Sequence, residues 1–196
     1  MTFLNNRVIG KGRPVVFLHG FLESLIMWDY LPLENLGVQV ILIDLPGHGK
    51  SYLAENAQPS ISYMAEQVRL TLNTLKLEEY EVVGHSMGGY ISLAFTEKYE
   101  SKVNALILLN STTEKDSAEK KINRDHFIKI IKYNQEVFVK MAISALFPKN
   151  NKKEFQQHID KFIEEAKNLK VDGIIAAIKG MKNRKDRLKL FQSYRL

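Results

Sequence analysis

Five residues, Gly84-His85-Ser86-Met87-Gly88, match the pattern G-x-S-x-G, and Gly89 follows them. The chemistry this pattern serves makes a specific physical demand. The serine must sit on a sharp turn from strand to helix, where a strained backbone lifts its Oγ clear of the sheet. Small residues on either side let strand and helix approach closely. The helix that follows aims its N-terminus at the serine. Its positive end and free N–H groups favour the negative charge that develops in acyl transfer. Apolar Tyr80-Glu81-Val82-Val83 precedes the pattern and Tyr90-Ile91-Ser92-Leu93-Ala94-Phe95 follows it, as a strand and a buried helix should. Ser86 is therefore the candidate nucleophile. The plainer alternative is a glycine-rich turn that happens to hold a serine.

Two further segments belong with it. His19-Gly20-Phe21 ends the apolar run Val15-Val16-Phe17-Leu18. In an acyl-transfer site this turn donates the Phe21 N–H to the oxyanion, and the Met87 N–H is the second donor. His19 reads as a brace that hydrogen-bonds loop backbone rather than as a base. Gly20, Gly84, His85 and Gly88 read as supports of the two turns. The second segment, Asp44-Leu45-Pro46-Gly47-His48-Gly49-Lys50-Ser51, is a shaped loop. Its Gly49-Lys50-Ser51 ending suggests a phosphate loop, but that pattern needs a glycine where Asp44 stands, so nucleotide binding is set aside.

These residues need a scaffold, and the chain supplies its grammar. The runs 15–18, 38–43, 80–83 and 103–109 are nearly continuous in apolar residues, which suits strands covered on both faces. Helical patterns near 60–76 and 87–99 lie between them, so a parallel α/β sheet is predicted. Phe3 to Ile9 reads as an antiparallel edge strand. From Glu114 the pattern turns helical, over 117–133, 134–147, 151–169 and 171–184, with a further helix at 185–193. The expected order places the strand of 15–18 between those of 38–43 and 80–83, with 103–109 outside the last.

Composition bounds the rest. The 196 residues are 45% hydrophobic and 26% charged, ordinary for a globular chain. There is no cysteine, which excludes disulfides, thiolate metal sites and a cysteine nucleophile. The N-terminus lacks the apolar stretch of a signal peptide, and no run reaches the roughly 18 apolar residues of a membrane span. A cytoplasmic protein is expected, with neither nucleic acid nor membrane as partner. Residues 1–113 hold 8 Lys/Arg against 11 Asp/Glu, and residues 114–196 hold 20 against 11. The lysines of the basic half fall between apolar residues at helical spacing, so they read as solvated helix faces.

The ordered set of His19-Gly20-Phe21, Asp44 to Ser51 and Gly84 to Gly89 resembles the α/β-hydrolase family, in its compact bacterial esterase-like branch. The resemblance covers residues 10–113. It implies an α/β-hydrolase core over 1–113, a helical cap over 114–184 and the start of a return to the core over 185–196. It also implies a serine hydrolase that needs no cofactor and no metal. Ser86 would attack an ester-like carbonyl of a small molecule, and water would release the acyl group. Phe21, Met27 and Trp28 would line the acyl pocket, under Phe138, Met141 and Phe147; ordinary core packing is an equal alternative for each of the six. The family's catalytic acid and histidine follow later strands. His19, His48 and His85 precede or adjoin Ser86, and His126 and His158 fall in helices, so no acid or base is assigned. Asn110 and Ser111 occupy a position that some members give to the acid. Two expectations follow. One is an esterase-like enzyme seen as an incomplete chain; the other is a short, catalytically weak protein that binds a ligand or partner. If the 196 residues are the whole molecule, the strand 103–109 is expected to be an edge that favours self-association.

Overall fold

The computed structural model describes residues 3–55, 57 and 60–193. Five strands form one sheet: β1 (Asn6–Ile9), β2 (Pro14–Leu18), β3 (Gln39–Ile43), β4 (Tyr80–His85) and β5 (Val103–Leu109). Their order is β1-β3-β2-β4-β5. β1 runs antiparallel to β3, and the other pairs are parallel. The expected order and the antiparallel edge strand are both present. Helices α1 (Ile61–Thr74) and α2 (Met87–Tyr99) make the crossovers.

Alternation along the strands decides what each face packs on. Val16 and Leu18 of β2 join Ile41, Ile43 and Val82 in a core shared with α1 and α2. Val15 and Phe17 point the other way, onto Leu25, Trp28 and Leu33 from the segment that links β2 to β3. That segment forms two short 3₁₀ turns, Leu25–Tyr30 and Leu33–Leu36.

β5 lies at the edge of the sheet, where it is expected. Its apolar run is not covered on both faces: Ile107 is 46% exposed and Leu109 39% exposed, while Leu106 is buried. The reason is position. β5 is the outer strand, and among the described residues no layer covers its second face.

Helices α3 (Ala118–Tyr133), α4 (Gln135–Ser144), α5 (Gln156–Lys167) and α6 (Val171–Lys182) follow, then α7 (Leu188–Ser193). The helix expected from 151 begins only at Gln156, after a 3₁₀ turn at Lys149–Asn151. α3 packs on α4 and α6, and α4 packs on α5. Ile131, Phe138, Ile143, Ile163 and Ile174 belong to the same core as α1 and α2. The chain enters and leaves this helical unit side by side: the Arg187 N–H donates to the Thr113 carbonyl at 2.8 Å. Arg184 reinforces the junction, donating to the Glu114 carbonyl at 2.9 Å and to Asp116 at 2.6 Å.

Candidate active site

Ser86 stands at the carboxyl end of β4, on the residue between strand and helix. Its φ of 49° and ψ of −111° put it in a region that side chains rarely adopt. Such a residue stores about 1–3 kcal/mol of strain and persists only where its surroundings hold it. Here the holding groups are visible. Ser86 N–H donates to the Leu109 carbonyl at 2.9 Å, and its carbonyl accepts from Gly89 N–H at 3.0 Å and Ser111 Oγ at 2.8 Å. The tight turn needs glycines where backbones meet. A side chain at Gly84 would sit 2.6 Å from the Gly88 carbonyl, and one at Gly88 would sit 2.7 Å from the His19 carbonyl. The first turn of α2 therefore lies directly against the end of β2, beside the 19–23 loop.

That loop carries the second set of groups. His19 is fully buried. Its Nε2 accepts from Leu45 N–H at 2.9 Å, so Nδ1 bears the proton and donates to the Gly20 carbonyl at 2.8 Å. The Gly20 carbonyl is also approached by Glu23 N–H at 3.4 Å. In a trans peptide the N–H points opposite to the C=O. Pinning the Gly20 carbonyl thus turns the Phe21 N–H outward, and that amide donates to no described residue. Met87, as the first residue of α2, also has an amide with no partner inside the helix. His19 acts on the loop as the sequence suggests, through backbone.

Burial, and then the neighbouring His48, push the His19 pKa down from 6.5 to about 3. Burial also lowers that of His48. A histidine kept neutral in the fold but free to charge when unfolded gives the unfolded state more protons below pH 6.5. Stability therefore rises with pH between about 3 and 6.5 and is lost as pH falls through that window. The expected slope from His19 approaches about 1.4 kcal/mol per pH unit. Urea denaturation at a series of pH values checks it, and a flat profile from about pH 4 to about pH 6 would contradict it.

Other sequence candidates fall into place. Asp44 is buried, and its carboxylate accepts from Leu25 N–H, Asn5 Nδ2 and Lys50 N–H at 2.8, 2.7 and 2.8 Å. It organises the 44–51 loop and is fully occupied. Ser86 opens onto a cavity of about 360 Å³ lined by Leu22, Met27, Phe147 and Phe162 among others. A smaller space of about 140 Å³ adjoins it, with Phe21, Tyr90 and Arg124 on its walls. Met27, Phe147 and Phe21 thus sit where expected. Trp28 does not: it packs edge-on against Phe17, 5.0 Å between ring centres, on the opposite face of the sheet. Phe138 is buried against Phe21 and Phe127 and lines neither space, and Met141 is 46% exposed. His158 stacks on Tyr30 and Phe155, and His126 lies on α3. None of the described histidine hydrogen bonds reaches Ser86.

One residue escaped the sequence reading altogether. The Glu23 carboxylate accepts from Gly20 N–H at 2.6 Å and from His85 Nδ1–H at 3.0 Å.

Residues 13–154 match the family model described as the alpha/beta hydrolase fold. The chain belongs to the α/β-hydrolase family. It is 36% identical over 108 residues to the AB hydrolase superfamily protein YisY of Bacillus subtilis, a stretch of 53% of this chain and 39% of that protein. It is 34% identical over 110 residues to the 2-hydroxy-6-oxononadienedioate/2-hydroxy-6-oxononatrienedioate hydrolase of Escherichia coli, over 53% of this chain and 38% of that one. The matches thus span about two fifths of the length of these curated relatives. Among solved structures, a thermophilic esterase from Thermogutta terrifontis superposes with a TM-score of 0.87 at 29% identity, covering 95% of this chain and 70% of the esterase. Among the described residues, this α/β-hydrolase chain has no helix long and apolar enough to cross a membrane.

Proposed function

We propose that this chain carries the nucleophile and oxyanion site of a serine hydrolase that acts on an ester-like carbonyl of a small molecule. The observation that carries the reading is Ser86 itself: a serine at positive φ, between β4 and α2, open to a cavity and beside two amides without partners. Ser86 Oγ attacks the carbonyl carbon, and the developing oxyanion accepts from Phe21 N–H and Met87 N–H. Collapse expels the alcohol and leaves an acyl-enzyme, which water hydrolyses back to free serine. A general base must take the Ser86 proton and return it to the leaving group. No described residue is placed to do so, so full activity is proposed for the whole gene product.

Leu22, Met27, Phe147 and Phe162 around Ser86 favour an apolar acyl group. The curated relative from E. coli is named a hydrolase and the structural neighbour an esterase, which supports the reaction class. Residues 114–184 serve as the cap over this cavity, 1–113 as the core and 185–196 as the return to it. The reaction as written uses neither cofactor nor metal, and the cysteine-free composition fits the cytoplasm. The test is covalent. A fluorophosphonate is expected to label Ser86 in the complete gene product, and an adduct mapped to another residue sinks the reading.

The lack of a base near Ser86 favours one alternative for residues 1–196 studied by themselves, a weakly active ligand-binding protein. We also propose that these residues, so isolated, pair with a second copy through β5. Ala105 to Leu108 carry no charge or proline to blunt the outer edge. Light scattering checks this, and a monodisperse monomer counts against it.

A further inference from the structure

We infer that Glu23 is a positioning residue that staples the oxyanion loop to the serine turn; the inference rests on the serine-hydrolase reading above. Three observations carry it. First, one carboxylate oxygen, Glu23 Oε2, accepts from both sides of the site: Gly20 N–H at 2.6 Å from the loop, and His85 Nδ1–H at 3.0 Å from the residue before Ser86. Beyond the last ladder pair of β2 and β4, Leu18 with Gly84, it is this side chain that links the two turns that hold the proposed oxyanion donors. Second, the loop is shaped to deliver that oxygen. Leu22 adopts a φ of 63° with its side chain buried, which turns the chain back so that residues 20 and 23 meet. Third, the glycine lets these side chains come close. A side chain at Gly20 would lie 2.5 Å from Glu23 Oε2 and 2.9 Å from His85 Nδ1.

The consequence for chemistry runs through Phe21. Its N–H belongs to the peptide plane that begins at Gly20. His19 and the Glu23 N–H fix the carbonyl side of that plane, and the Glu23 carboxylate fixes the Gly20 nitrogen before it. The Phe21 donor is thereby aimed before substrate arrives, which is what makes such a donor effective. Glu23 touches no reacting atom. It acts by holding the donor's geometry, and a displacement of about 1 Å there costs on the order of 100-fold in rate.

Two variants separate position from charge. Glu23→Gln keeps an acceptor oxygen at the same reach and loses the charge. Glu23→Asp keeps the charge and falls short by one methylene. In the complete gene product, Glu23→Asp and Glu23→Ala are expected to lower kcat on a short-chain aryl ester by about 10- to 100-fold with KM changed less than about threefold. Glu23→Gln is expected to recover most of the loss. The reverse order, with Asp active and Gln not, overturns the staple, because charge and not position would then matter. Equal activity in all variants overturns it as well. Should Glu23→Ala fail to fold, the Asp and Gln pair still decides. A second readout is independent of turnover: the Gly20 amide proton should shift upfield in both variants, further in Glu23→Asp, where the bond is lost, than in Glu23→Gln, where a neutral acceptor keeps it. Ser86 that takes no fluorophosphonate in the unaltered protein defeats the hydrolase reading and this inference with it. Ser86 that is labelled normally, with Glu23→Asp fully active, defeats the staple alone.

Discussion

Replacing Ser86 with alanine is expected to cut ester turnover by about four to six powers of ten in the complete gene product. The size follows from the role. Without Oγ no acyl-enzyme forms, and what survives is the contribution of the oxyanion donors and of binding to direct attack by water. KM should change little, because the hydroxyl makes its decisive bond only in the transition state. Stability should also change little. Alanine keeps a Cβ at a φ of 49°, so the strain of the turn remains, and the backbone bonds to Leu109, Gly89 and Ser111 are untouched. Steady-state kinetics beside a thermal melt separates the two. A variant that keeps more than about one part in 100 of the activity would mean that another residue makes the attack.

The second large effect is on folding. Asp116 is almost fully buried and binds two guanidinium groups, Arg184 Nη1 at 2.6 Å and Arg124 Nε at 3.1 Å. Arg184 is buried as well, 4.1 Å from the centre of the Tyr90 ring. Two cations here depend on one carboxylate. Asp116→Ala removes the only carboxylate that the described ion pairs give the buried Arg184, leaving it two backbone carbonyls and the Tyr90 ring, and breaking a buried pair from one side costs about 3–5 kcal/mol. Asp116→Asn, which keeps the shape and one acceptor oxygen, should fall between. The midpoint of urea denaturation reports the difference. A loss below about 1 kcal/mol would mean that water reaches the arginines once the carboxylate is gone.

What the sequence made legible was local. The apolar runs placed every parallel strand to within a residue or two, because apolar stretches with few charges leave a nearly unbroken signal. Gly84 to Gly88 announced the turn at Ser86, since the close approach of strand to helix admits few other residues. His19 was readable as a brace because it follows a strand directly. What failed was whatever depends on distant partners. Glu23 meets His85 across 62 positions, and Asp116 meets Arg184 across 68, and neither pairing leaves a trace in spacing. Trp28 takes the core-packing alternative rather than the pocket, a choice the sequence left open because a short 3₁₀ turn has no period from which a direction can be read. Ile107 and Leu109 lie on an uncovered face because β5 is the outer strand, and its place there came from the expected strand order, since an apolar residue on an outer strand looks the same in sequence as one in the middle.

The hydrogen bond between Arg187 and Thr113 has a consequence beyond the stability of one junction. A segment whose two ends touch imposes a single distance on its host. Residues 114–186 can change in length through their loops while that distance is kept, but Ile131, Phe138, Ile143, Ile163 and Ile174 share a core with α1 and α2, so any replacement must rebury that face. The entropic cost of such a change grows with the logarithm of segment length, about 0.6 kcal/mol per doubling. Ile143, Leu146, Phe147 and Phe162, which wall the space over Ser86, all lie inside the segment. The groups held by β2 and β4 lie outside it. The walls supplied by the segment can therefore change while Ser86 and its turn stay in place, and a graft across residues 113 and 187 that keeps an apolar inner face puts this within reach at the bench.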